Sequence, residues 1–315
     1  MQGVILEAII FFIGLGLLIK GSDIFVDRAT RIAKSFNISE FLIALVLASI
    51  ATTLPEVTVS VISSYKGNSG IALGNAIGSA LANIALILSI SALIMPLKVD
   101  KIATENSLIM LGVTLYAWLL MSNGKISRVE GLTLILIYIA FLRYLYRKHV
   151  KFEEAERERV GSVAKDIVML FISGGIVILG AELVVDSAVE IARSAGVPEI
   201  VIGVTLVSIG TSLPEFANSL TATLKRIPNI SVGNIIGANI LDILMVIGIA
   251  SLIRPIEVDE SIVRLVMPIT ILVMVVLTIS LYRNSKVGRK TAIIQLIIYT
   301  IFLYLLAQGK VYIPG

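Results

Sequence analysis

Stretches of about 20 predominantly apolar residues, each long enough to cross a hydrocarbon core of about 30 Å, follow one another almost end to end along the chain. They predict about ten transmembrane helices, near residues 4–26, 40–64, 70–95, 103–122, 128–147, 165–190, 199–224, 229–253, 262–282 and 290–308. The expected fold class is an all-α integral membrane protein. The first span carries Glu7, has no basic segment ahead of it and shows no small-residue cleavage site, so it is expected to be retained rather than removed as a leader.

Composition agrees and narrows the chemistry. Hydrophobic residues make up 57% of the chain and charged residues 15%, which excludes an ordinary soluble domain. Cysteine is absent, which excludes disulfides, thiolate metal sites and cysteine nucleophiles. The one histidine, His149, follows Arg147 and Lys148 and reads as a solvated loop residue. With ten spans, the loops on the side of the central loop hold 18 Lys and Arg residues against 7 on the other side, leaving Lys20 uncounted. The positive-inside rule then makes the central loop cytoplasmic and puts both termini outside a cell membrane. No basic patch is interleaved with aromatics, so no nucleic-acid partner is expected.

The chain repeats itself at a constant offset of 159 residues. Gly21-Ser22-Asp23 through Asp27 aligns with Gly180-Ala181-Glu182 through Asp186. Ala51-Thr52-Thr53-Leu54-Pro55-Glu56 aligns with Gly210-Thr211-Ser212-Leu213-Pro214-Glu215, and Gly74-Asn75-Ala76-Ile77-Gly78-Ser79 with Gly233-Asn234-Ile235-Ile236-Gly237-Ala238. Asn83 meets Asp242, and the match needs no gap from Gly21 to Asp100. Each half holds about five spans, an odd number, so the copies must enter the membrane in opposite senses. The expected organisation is therefore two inverted five-helix repeats, 1–147 and 165–315, joined by a charged cytoplasmic linker at 148–164. Such repeats are the common scaffold of secondary transporters, with the substrate site near the midplane.

Polar residues inside the spans locate that site. Glu56 and Glu215 fall in the middle of apolar stretches, where a carboxylate costs about 2.5–3.5 kcal/mol and needs a function. Pro55 and Pro214 precede them, remove a backbone donor and disturb the helix. Thr52 and Thr211 lie four residues earlier on the same face. Asn75, Ser79 and Asn83 recur every four residues in the next span, as do Asn234, Ala238 and Asp242 in the second half. Asn75 and Asn234 could equally serve as bridges between helices. The candidate cation ligands are Glu56, Glu215 and Asp242 as carboxylates, Asn83 as amide, Thr52, Thr53, Ser79, Thr211 and Ser212 as hydroxyls, and carbonyls near Ser49 and Ser208. All are hard oxygen donors, which suit Ca²⁺ and also Na⁺, and exclude soft metals. The acidic pairs Asp23/Glu182 and Asp27/Asp186 are placed toward the cytoplasmic ends of spans one and six, explained by solvation or by pairing with Arg28.

The Gly-Asn-x-x-Gly segments lack the Lys-Ser/Thr ending of a phosphate loop and lie inside apolar spans. No nucleotide, cofactor or enzymatic activity is therefore expected, and an ion gradient must supply the energy. A solute symporter would need aromatic or basic groups around a larger pocket. An intramembrane hydrolase would need a Ser/Lys, a zinc or an Asp/Asp arrangement, and the spans supply neither set.

The paired motifs resemble those of the calcium/cation antiporter superfamily, in which Gly-Thr-Ser-Leu-Pro-Glu is followed by Gly-Asn-x-x-Gly-Ser in each half. The likeness covers nearly the whole chain. It implies that Glu56 and Glu215 share Ca²⁺, that Asn83 and Asp242 lie across from them, and that spans one and six slide over the rest to alternate access. It also implies Ca²⁺ export against Na⁺ or H⁺. The bilayer is the expected surroundings, and a monomer is one of the states the sequence leaves open. Ser79 is matched by Ala238, and Ala51 and Thr53 depart from the motif, so one Na⁺ site loses a ligand. Three clustered acids meet the requirement for carrying protons, so the sequence leans slightly toward H⁺.

Overall fold

The computed structural model describes residues 2–36, 38–149, 162–194 and 210–307. Among them the fold is nearly all helix. The first helix, α1 (Gln2–Phe36), is followed by α2 (Glu40–Thr52), α3 (Leu54–Lys66) and α4 (Ser69–Ile94). The first half then adds α5 (Lys101–Met121) and α6 (Arg128–His149). The second half contains α7 (Val163–Ser194), α8 (Leu213–Leu224), α9 (Pro228–Ile253), α10 (Ile262–Asn284) and α11 (Arg289–Ala307).

Eight of these helices are long and apolar enough to cross a membrane, and α2 and α3, which meet at an angle of 46°, make nine if counted together as one span. The chain is a multi-pass membrane protein. The seventh expected span, 199–224, is described only from residue 210, and most of the charged linker at 148–164 lies outside the described residues.

Two short antiparallel ribbons were not legible in the apolar pattern. Strand β1 (Leu97–Lys98) pairs with β4 (Lys286–Val287), and β2 (Lys125–Ile126) pairs with β3 (Ile256–Glu257). Each joins a turn of one half to a turn of the other, and β1 and β3 are separated by the same 159 residues as the sequence motifs.

The bundle is built around α4 and α9. Their most apolar windows are 72% and 83% buried, whereas that of α1 is 33% buried. Both carry small residues at the spacing that lets helices approach closely. A Cβ on Gly237 would stand 2.1 Å from the Leu45 carbonyl oxygen, and one on Gly233 2.5 Å from that of Phe41. These contacts press α9 against α2.

Outside this core, α1 and α7 lie against each other along most of their lengths. Leu18 packs at Gly180, Gly21 at Val177, and Arg28 Nη1 donates to Asp166 Oδ1 at 2.7 Å, so the two helices run antiparallel. This corrects the placement of the acidic pairs. Glu182 and Asp186 lie beside the Gly14 end of α1, at the opposite end of the pair from Asp23 and Asp27, and the partner of Arg28 is Asp166. At 35 residues, α1 extends about 50 Å, well beyond the hydrocarbon thickness, so it tilts or protrudes. The first span was expected to end near residue 26, yet the helix continues to Phe36.

Candidate functional site

The sequence Thr53-Leu54-Pro55-Glu56 has the form of a capping box, as does Ser212-Leu213-Pro214-Glu215. The backbone follows that form. Thr53 and Ser212 are N-cap residues, the prolines fall in the first turn, and the glutamates sit in that same turn of α3 and α8. Neither cap side chain bonds its own helix end. Thr53 instead donates from Oγ1 to Glu215 Oε1 across the halves, at 3.3 Å. Ser212, its counterpart, lies beside Glu56 with its hydroxyl unbonded. The carboxylates thus gain the favourable field of a helix start.

Glu56 is 1% exposed, and Glu215 and Asp242 are 0% exposed. Glu56 is within electrostatic reach of both other acids, and Asp242 of Glu215. Both oxygens of Glu56, both of Asp242 and Oε2 of Glu215 lack any hydrogen-bond partner. Buried polar atoms are almost always bonded, so a cluster of orphaned carboxylate oxygens marks a place for a cation or a proton. No three acidic or imidazole groups among the described residues converge closely enough to hold a metal ion on their own. A cation bound here would need hydroxyl, amide or carbonyl oxygen as well.

Those groups surround the acids. Thr52 Oγ1 is 3.4 Å from Asn234 Oδ1, and Thr211 Oγ1 is 3.4 Å from Asn75 Oδ1. The two contacts are counterparts under the 159-residue offset. Asn75 also donates to the Glu56 carbonyl at 3.1 Å and to Ser60 Oγ at 3.0 Å. Both asparagines therefore bridge helices. Thr52 further approaches the carbonyls of Ala48 and Ser49. The Ser49 carbonyl also accepts Thr53 N–H at 2.9 Å, and Ser49 Oγ donates to Leu45 O at 2.6 Å. Pro55 leaves the Ala51 carbonyl, four residues back, without its helical donor. Ser79 is buried one turn before Asn83 on α4. Ser208 lies outside the described residues.

Asn83 and Asp242 each begin a π-helical segment, Asn83–Leu88 in α4 and Asp242–Val246 in α9. Single π turns are frequent at functional sites because they interrupt the regular ladder and re-aim side chains. Asn83 Nδ2 donates to Asn239 Oδ1 at 3.0 Å, while its Oδ1 is buried and unpartnered. Asn239 is a polar residue that the four-residue stripe passed over, because it lies one position beyond Ala238. Its signal was an asparagine within an apolar span, one turn before Asp242.

A bent-helix pair, buried acids and a ring of hard oxygen donors inside a multi-pass bundle define a membrane cation transporter. The chain belongs to the sodium/calcium exchanger protein family, whose model matches residues 6–147 and 165–308. It is 37% identical over 303 residues to the membrane protein MJ0091 of Methanocaldococcus jannaschii, spanning 95% of this chain and 97% of that one. It is 30% identical to the sodium/calcium exchanger MaX1 of Methanosarcina acetivorans, again over 95% of this chain and 97% of the relative. Its structure is similar to that of the sodium-calcium exchanger NCX_Mj, with a TM-score of 0.86 and 36% identity, covering 95% of this chain and 98% of the other. The protein is a Ca²⁺/cation antiporter of the Na⁺/Ca²⁺ exchanger type.

Proposed function

We propose that this chain exports Ca²⁺ across the cell membrane in exchange for Na⁺, with Glu56 and Glu215 sharing the ion. The observation that carries this reading is the set of buried carboxylate oxygens without partners at the starts of α3 and α8. Asp242, Asn83, Thr52, Thr53, Thr211, Ser212, Ser79 and the carbonyls near Ser49 and Ser208 complete the oxygen donors. The two halves, 1–147 and 165–315, act as inverted five-helix repeats. The segment 148–164 is a cytoplasmic linker, and both termini face outside. The family match in two stretches and the exchange of strands between halves support that division.

The transport cycle follows from charge. An empty cluster of buried carboxylates is costly to seal from water, whereas a cluster neutralised by Ca²⁺ or by Na⁺ is not. Closure is therefore open to either loaded form and closed to the empty one, which couples the two ions through the same oxygens.

Sodium is favoured by the names carried by MaX1 and NCX_Mj, relatives that match along nearly the whole chain. A second reading, exchange for H⁺, is favoured by Ala238, which supplies no hydroxyl where Ser79 does. Ca²⁺ uptake into proteoliposomes, driven in one arm by a Na⁺ gradient and in the other by a pH gradient, separates them. Uptake in the Na⁺ arm alone is expected. Uptake only in the pH arm would replace sodium by protons.

A further inference from the structure

Asn239 lies on α9, one turn before Asp242, and is fully buried. Its Nδ2 donates to the Ala80 carbonyl on α4 at 2.9 Å, and its Oδ1 accepts from Asn83 Nδ2 at 3.0 Å. The direction of this chain is forced by chemistry. A peptide carbonyl only accepts, so the end of Asn239 facing Ala80 must be the nitrogen. Its other end is then the oxygen, and Asn83 must present its own nitrogen to it. The Asn83 oxygen is the atom left over, buried and without a partner.

Orientation matters at Asn83 in a way that it does not at Asp242. The two ends of an amide are almost equal in shape, yet only the oxygen can face a cation, and the nitrogen would repel it. A carboxylate has oxygen at both ends and needs no such control. The sequence offset matches this difference. Position 239 corresponds to 80 and position 242 to 83, so the amide is faced by an asparagine, while the carboxylate has only Ala80 in the corresponding place. We infer that Asn239 is a positioning residue, which holds the Asn83 amide with its oxygen toward the cation site. This deepens the reading of Asn83 as a ligand and rests on that reading.

The test is Ca²⁺ binding to the purified, detergent-solubilised protein by calorimetry, in the absence of Na⁺. Asn239→Leu keeps the branched shape and removes both hydrogen bonds. Asn239→Ala installs what the corresponding position carries and serves if the larger side chain fails to fold. Loss of orientation should weaken Ca²⁺ binding by about three- to tenfold, the range for one buried hydrogen bond. In an Asn83→Asp background the same substitution should weaken it by less than about twofold, because a carboxylate needs no orienting partner. Equal weakening in both backgrounds, or none in the first, would overturn the inference and leave the antiport reading standing. Failure of the unsubstituted protein to bind Ca²⁺ would overturn the antiport reading itself.

Discussion

Lys225 Nζ lies 2.7 Å from Asp27 Oδ1 and so ties the end of α8 to α1. The same ammonium is 2.7 Å from Asp23 Oδ1 and 2.9 Å from the Asp23 carbonyl oxygen. The matching positions under the repeat offset are Lys66, Glu182 and Asp186, which carry the same charges. All three are exposed and form no ion pair among the described residues. Packing shows the same asymmetry, because α1 lies along α8 whereas α7 makes no comparable contact with α3. If the two halves exchange states as inverted repeats, α7 closes on α3 and Lys66 meets Asp186. The chain has no cysteine, so Lys66→Cys combined with Asp186→Cys can be tested directly. An oxidant should join the pair in transporting protein and stop Ca²⁺ exchange, and reduction should restore it. Exchange without any cross-link would contradict this expectation. Lys225→Ala should speed the cross-linking by up to about fivefold, since partly exposed ion pairs contribute at most about 1 kcal/mol.

Gly237 decides how near α9 comes to α2 around Leu45. Its hypothetical Cβ meets backbone, the Leu45 carbonyl carbon at 2.8 Å as well as the oxygen, which cannot swing away like the tip of a side chain. Gly237→Ala should cost about 1–3 kcal/mol and displace Ser49 and Thr52. A lower melting temperature together with weaker Ca²⁺ uptake is the expected result. Unchanged values in both would remove the close approach from the account.

The ends of α3 and α8 are also counterparts. Gly67 follows α3 with φ +87°, and Arg226, at the corresponding position after α8, has φ +62°. Glycine adopts that backbone freely, but an arginine is strained there by about 1 kcal/mol. Arg226 is exposed. Arg226→Gly should raise thermal stability by about 2 °C in a chain of this size, with Ca²⁺ transport unchanged. A fall in melting temperature would show that the side chain contributes more than the strain takes away.

The spans that fall among the described residues and the paired acids were legible because both follow from the membrane itself. Length and hydropathy mark a crossing helix, and a carboxylate such as Glu56 stands out in an apolar run. The repeat offset led to the paired Thr-x-x-x-Glu faces and to Asn83 against Asp242. Other features had no local signal. Strands of two residues, such as Leu97–Lys98, are too short to show alternation. Asn239 lies off the four-residue stripe, and its contact with Asn83 depends on how α4 and α9 cross. The antiparallel arrangement of α1 and α7 separates Asp23 from Glu182, although the two align in sequence. Asn75 and Asn234 read equally as bridges or as ligands in sequence, because their reciprocal contacts with Thr211 and Thr52 depend on how the helices pack.

The most direct measurement of the central claim is Ca²⁺ uptake into proteoliposomes under an outwardly directed Na⁺ gradient, for the unsubstituted chain and for Glu56→Gln and Glu215→Gln. Glutamine keeps the shape and removes the charge that a divalent cation needs. The unsubstituted chain should accumulate Ca²⁺, and each variant should lose uptake to the level of empty vesicles while remaining folded. Full uptake by either variant would contradict the assignment of the two glutamates as the shared Ca²⁺ site.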